Sequence, residues 1–214
     1  ALPISLVSDP PDGRIPALTP EYQKKRAERM AFTKQHQYDA PENIALGLRC
    51  ITGNVPMIGA GYNNYYQIAQ AADFVAVNME MRHDTRMIPL DARKHPSQAV
   101  QHWLGSPSGR WEGDTLVVET TGLKESVDQV AVHSEDARII ERYSLDKDPR
   151  SGRRLLTAQV TIIDPAFYAT PPTFTRTWAP LENGRMMVYD CTEPAWEDHL
   201  DMLRRKALGS AAGN

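Results

Sequence analysis

From Tyr62 onward, apolar and polar residues alternate with the period of two that marks a strand with one face turned inward. Residues 65–70 and 74–83 read as two strands turning on each other at Ala72-Asp73. On the second, Val75, Val77, Met79, Met81 and His83 share one face, and Ala76, Asn78, Glu80, Arg82 and Asp84 share the other. A third strand covers 86–90. The run Arg110-Trp111-Glu112-Gly113-Asp114-Thr115-Leu116-Val117-Val118-Glu119-Thr120 is the clearest hairpin signal, because Gly113 supplies the positive φ of a tight turn between two strand-like runs. Further strands fall at 137–145, 154–164, 173–179 and 185–192, punctuated by Pro149 and Gly152, Asp164-Pro165, Pro171-Pro172 and Asn183-Gly184.

Helical spacing is confined to the flanks. Thr19-Pro20-Glu21 presents a hydroxyl cap, Pro at the first helical position and acid in the first turn, so a helix runs from there to about Gln37. Its apolar stripe (Tyr22, Ala27, Met30, Ala31) is thin, which places it on the surface. A second helix covers 195–208 on the stripe Trp196, Leu200, Leu203, Ala207, and a short one falls within 97–104. Residues 1–18 read as an extended arm, since Pro10, Pro11 and Pro16 forbid a regular helix or a central strand. The expected fold is mainly β: an antiparallel meander curled into a barrel or half-barrel of lipocalin-like outline, with flanking N- and C-terminal helices. One domain is expected, with an arm, surface helix and irregular segment over 1–61, a barrel-like body over 62–194, and a terminal helix and tail over 195–214.

A chain of 214 residues can bury a core without metal or disulfide staples. Its formal charge of −3 argues against a nucleic-acid partner, which requires clustered Lys and Arg along one surface. No apolar stretch approaches the roughly 20 residues that span a bilayer. The sequence begins at Ala1, without Met, on a Pro-rich stretch of the kind that signal cleavage leaves, so a periplasmic or secreted location is expected. Two cysteines, Cys50 and Cys191, are too few for a structural zinc site of their own. They read either as two buried free thiols or, in an oxidising compartment, as a bridge worth about 4–5 kcal/mol by loop closure.

Several motifs together resemble a family of uncharacterised exported bacterial proteins. They are Asp9-Pro10-Pro11-Asp12-Gly13-Arg14, Arg49-Cys50, Gly61-Tyr62-Asn63-Asn64-Tyr65-Tyr66-Gln67-Ile68, His83-Asp84-Thr85-Arg86-Met87-Ile88-Pro89-Leu90-Asp91, Gly109 through Thr120, Ser134-Glu135, and Tyr189-Asp190-Cys191-Thr192-Glu193. The resemblance spans most of the chain. It implies export and makes both cysteines family features; it implies no reaction.

The densest polar group is Glu80, Arg82, His83, Asp84 and Arg86. If the face of Val75–Met81 lines an interior, His83 reaches its mouth or floor and can move a proton near neutral pH. Otherwise it is a buried, singly satisfied histidine beside a cross-strand ladder of charges. Asn63, Asn64, Tyr65 and Tyr66 suit recognition of a hydroxylated or carbonyl ligand, or simple Asx turns. Glu141 and Tyr143 share the face of Ile139, and an inward Glu there is costly unless paired; a register one residue away would turn both outward. His83, His133 and Glu135 are the candidate metal ligands. No HExxH, Gly-x-Ser-x-Gly or dinucleotide fingerprint is present.

These readings lead to an exported pocket protein with cofactor-free acid/base chemistry (lyase, isomerase or hydrolase) on a small or oligomeric polar organic substrate. In it His83 transfers the proton, with Glu80 or Glu135 as the second carboxylate. Tyr65 and Asn64 bind or polarise the substrate, beside Asn63, Arg82, Glu141 and Tyr143 in the pocket, and Arg86 holds an anionic group. No metal or cofactor is expected in that reading, and a homodimer is allowed. The alternatives are a non-catalytic binding protein for an apolar or aromatic ligand, and a metal-dependent enzyme using His83, His133 and Glu135.

Overall fold

The computed structural model describes residues 7–12, 14–36, 39–47, 49–53, 55, 64–91, 100–127, 131–189, 197–198 and 200–205. Among them, nine strands form two antiparallel sheets. The larger contains β1 (Val7–Asp9), β5 (Ser106–Glu112), β6 (Thr115–Thr121), β7 (Arg138–Lys147), β8 (Arg154–Ile163) and β9 (Thr173–Trp178), in the order β1-β9-β8-β7-β6-β5. The smaller is β2 (Tyr66–Gln70), β3 (Phe74–Met79) and β4 (Thr85–Pro89), in that order. The mainly β, sequential antiparallel character read from the alternation is therefore present. No closed barrel is found among the described residues, in which β1 and β5 are the edge strands of one sheet and β2 and β4 of the other.

The chain makes these strands where one face has a core to meet. In β3, Val75, Val77 and Met79 are buried while Ala76 and Asn78 are only half so. Ile88 of β4 pairs with Val75 and is wholly buried, and each such branched side chain contributes ~1.5–3 kcal/mol on leaving water. Across from them, Leu116 and Val118 of β6 complete a cluster that joins the two sheets. Gly109 lets them approach: a Cβ there would lie 2.8 Å from Ile88 Cγ2 and 2.9 Å from Leu90 Cδ2. At the β5–β6 hairpin, Gly113 takes φ +60° in the two-residue loop between Glu112 and Thr115, as its position in the motif requires.

Along the large sheet, register sets side chains of one parity into rows on the inner face. Thr120, Ile139 and Ile162 form one row, then Val118, Glu141, Val160 and Phe174, then Leu116, Tyr143, Ala158 and Arg176, and finally Leu145, Leu156 and Trp178. Exposure grows along the series: Ile139 and Ile162 are fully buried, Arg176 and Trp178 half-buried, and Leu145 is 66% exposed. The closed end is capped by Tyr22, Phe167 and Tyr168. Tyr22 comes from α1 (Pro20–His36), whose first turn is held by Thr19 Oγ1 accepting the Tyr22 N–H at 3.4 Å, and its ring stacks on Phe167 at 3.5 Å. Tyr22 is the buried residue of that helix, in keeping with the thin stripe.

Four expectations need correction. The strand expected over 74–83 stops at Met79, because Glu80 turns helical and Arg82 and His83 take φ +61° and +51° in a tight 3-10 turn, Met81–His83. Met79 N–H then bonds to the Asp84 carbonyl at 2.9 Å, closing the hairpin into β4. Residues 185–189 form no strand; side chains rather than a backbone ladder hold them. Residues 100–105 are not helical, and His102 instead makes an isolated parallel bridge with Leu123. Val7–Asp9 of the supposed arm is a strand, at a sheet edge where the prolines after it do no harm. Residues 197–198 and 200–205 are helical, and no helix among the described residues is long and apolar enough to cross a membrane.

Candidate functional site

The open end of the inner face is a cleft of about 740 Å³. One wall is the start of β2 with Asn64, Tyr65 and Tyr66. The floor is the end of β9 with Arg176 and Trp178, flanked by Leu156 of β8. The far rim is formed by 179–181 and 184–186. The Tyr66 and Trp178 rings meet edge to face with centroids 5.0 Å apart. Asn183 takes φ +57° and the Gly184 N–H returns to the Leu181 carbonyl at 3.3 Å, so the turn that shapes the rim is centred on Glu182-Asn183, one residue before the expected Asn183-Gly184 pair. Asn78 and Glu80 tie that rim to the small sheet: Asn78 Nδ2 donates to Met186 Sδ at 3.5 Å, and Met187 N–H donates to Glu80 Oε1 at 2.9 Å.

Tyr66 stands between this cleft and a buried polar group. Burial pushes its phenol well above the ordinary range, and the neighbouring Arg176 guanidinium partly opposes this. Behind it, Arg86 Nη1 lies 2.5 Å from Glu141 Oε2, and both side chains are almost wholly out of solvent. Tyr143 donates its hydroxyl to Glu141 Oε1 at 2.9 Å, and Arg86 Nη2 donates to Thr120 Oγ1. Burial, then the Glu141 charge, keeps the Tyr143 phenol protonated. The inward Glu141 is thus paired, across the sheets, by the inward Arg86. Arg86 serves as that internal partner and Glu141 lies behind the cleft wall, so neither takes the ligand-facing place expected of it.

The residues grouped from the sequence are spread over three places. Asn64 and Tyr65 line the cleft, while Asn63 lies outside the described residues. His83 is exposed at the β3–β4 turn instead of continuing the inner face, since the left-handed pair Arg82-His83 rotates it away. Glu80 is buried beneath the rim, with Oε2 lacking a hydrogen-bond partner. Asp84, also buried, accepts Gly53 N–H at 2.7 Å and Thr52 Oγ1–H at 3.0 Å; its carboxyl is raised by burial against those bonds and the Arg82 charge. Arg82 packs on Gly47 and Gly53.

The third place is the sealed end. His133 is fully buried, with Nδ1 3.1 Å from the Ser134 carbonyl, and burial pushes its imidazole down. Ser134 gives its hydroxyl to Asp164 Oδ1 at 3.0 Å and its N–H to Oδ2 at 2.5 Å, so it makes no nucleophile–base contact with the adjacent histidine. Glu135 is exposed and accepts from Gln101. Among the described residues no three His, Cys, Asp or Glu side chains converge as metal ligands, so His83, His133 and Glu135 do not form the centre considered for them. Cys50 is disulfide-bonded, and Cys191 lies outside the described residues.

Sequence reasoning passed over Arg176 and Trp178. Their signal was present: Phe174, Arg176 and Trp178 share one parity on a strand whose Phe faces the core. Comparison with known proteins adds no further assignment, for no family model, curated protein or solved structure matches this chain.

Proposed function

We propose that this chain is a small-molecule-binding domain whose ligand lays an aromatic or apolar face on Tyr65, Tyr66 and Trp178 in the open cleft. The carrying observation is that one cleft of about 740 Å³ gathers these three rings and Leu156 at the mouth of the inner face. That size lies within the roughly 300–1,000 Å³ of ligand sites, and an aromatic lining with a few placed polar groups is their usual composition. The disulfide of Cys50 supports a periplasmic or secreted location, since cytosolic thiols are kept reduced.

The reading is tested by calorimetric titration with 2-naphthol, an uncharged aromatic probe. Saturable binding is expected at or below about 1 mM, weakened about tenfold or more by Trp178→Ala and by Tyr65→Ala. Tyr65 is 48% exposed, so its truncation leaves the core intact. Absence of binding, or binding indifferent to both substitutions, refutes the assignment.

A second reading, cofactor-free proton transfer in the same cleft, is favoured by Tyr66, a phenol that burial holds protonated at the cleft wall. It would act as an acid or hydrogen-bond donor rather than a base. A ligand recovered chemically unchanged after long incubation leaves the binding function alone standing.

A further inference from the structure

We propose that the ligand of the cleft is an organic anion, an aromatic ring carrying a carboxylate, and that Arg176 holds its charged end. This rests on the binding reading above and adds the chemical class. Among the described residues the cleft is lined by Arg154, Arg176 and Arg185 and by no Asp or Glu. None of the three arginines has an ion-pair partner among the described residues. Elsewhere carboxylates do meet guanidinium groups: Glu141 at Arg86, Glu112 at Arg110 and Arg142, Glu119 at Arg138. The cleft therefore concentrates three positive charges in a chain whose formal charge is −3. A cluster of like charges is unfavourable until a counter-charge enters, and in a cleft it focuses the field on the space where that counter-charge would sit.

Position singles out Arg176. Arg154 and Arg185 are exposed, whereas Arg176 is half-buried on β9. It shares the inner face with Trp178 two residues on, and its charge is felt by Tyr66. A planar guanidinium beside two rings offers a bidentate fork for a carboxylate whose aromatic body lies on the indole and phenol. Lys in its place would keep the charge and lose the fork. A nucleic-acid backbone is disfavoured, because the three arginines converge on one cleft instead of tracking a surface.

The test uses two probes of the same shape on the whole protein, 2-naphthoate and 2-naphthamide, titrated by calorimetry into wild type, Arg176→Gln, Arg176→Lys and the double variant Arg154→Gln/Arg185→Gln. Wild type is expected to prefer the carboxylate by about tenfold or more. Arg176→Gln should erase most of that preference while leaving the amide's affinity in place, Arg176→Lys should retain part of it, and the exposed double variant should reduce it less than Arg176→Gln does. Equal binding of the two probes by wild type overturns the anion proposal and leaves the aromatic cleft standing. A preference that survives Arg176→Gln but not the double variant removes Arg176 as the anchor. Binding of neither probe overturns this proposal and the reading beneath it together.

Discussion

Arg86 and Arg176 both project from strands onto the inner face, and their surroundings differ in one respect. Arg86 meets Glu141 at 2.5 Å in a compartment closed to water, where Thr120 accepts from Arg86 and Tyr143 donates to Glu141, while Arg86 Nε keeps no hydrogen-bond partner. Arg176 sits two rows of register further toward solvent than Thr120, with aromatic neighbours and, among the described residues, no carboxylate in the cleft lining. Burying a guanidinium is tolerable only when its charge is matched within the fold. Where water still reaches, a charge can be left unmatched, and it is then available to something from outside. The same residue type is thus internal structure on β4, and on β9 it is the charge to which the proposed recognition is assigned.

The largest effect expected from this contrast follows removal of one partner of the sealed pair. Glu141→Gln leaves Arg86 charged, buried and without its counter-ion, and breaking a buried pair in this way costs about 3–5 kcal/mol. Chemical denaturation should show that loss. The triple substitution Arg86→Met/Glu141→Leu/Tyr143→Phe should recover most of it, since it removes both buried charges and the hydroxyl that donated to Glu141. A loss below about 1 kcal/mol for Glu141→Gln, within the range of an exposed pair, would mean that the compartment is wet and the contrast with Arg176 is one of degree only.

How much of this contrast could be read in advance depended on whether it was local. The alternation at 74–79 and the turn at Gly113 were legible, because one buried face and one forced positive φ leave their mark within a few residues. The inward direction of Glu141 was legible from the parity of Ile139. Its partner was not, for Arg86 lies on another sheet and nothing in the local pattern of either strand names the other. His83 was misplaced because the alternation runs on into the turn: Glu80 and Met81 are both buried, and the left-handed residues are Arg82 and His83 rather than a Gly or Asn that would announce them. Residues 185–189 carry strand-like residues, yet Asn78 and Glu80 hold them through side chains. Arg176 and Trp178 were legible by the parity of Phe174, and reading that parity beyond the last apolar residue would have led to the cleft.

A smaller effect separates the ends of the sheet by pH. His133, in the sealed part, is held neutral by burial, so its folded pKa lies below the ~6.5 of an unfolded chain. The unfolded chain takes up the proton first as pH falls. Stability present above about pH 6.5 is therefore lost on acidification below it, with a slope of at most about 1.4 kcal/mol per pH unit from this group. Asp84 acts in the opposite sense: its raised carboxyl favours the fold at pH below its unfolded value of ~3.8, and that contribution is lost as pH rises through its folded value. The difference in slope between wild type and His133→Gln isolates the histidine. Thermal denaturation between pH 5 and 7 should show a shallower slope in the variant; identical slopes would mean the imidazole is charged or hydrated inside the fold.

The smallest effect is the most discriminating. Without a ligand, Arg176 makes no ion pair among the described residues, and Arg154 and Arg185 share its sign. Arg176→Gln should therefore change the free energy of unfolding by no more than about 0.5 kcal/mol, the usual scale for a substitution away from structural contacts. A slight gain would be natural, since one repulsive charge leaves the group. A loss of about 2 kcal/mol or more would show that Arg176 is already satisfied by the protein itself, as Arg86 is, through a partner on the cleft wall. In that event the positive cleft would be a piece of architecture, and the difference between the two ends of the inner face would lie only in how deeply their charges are set.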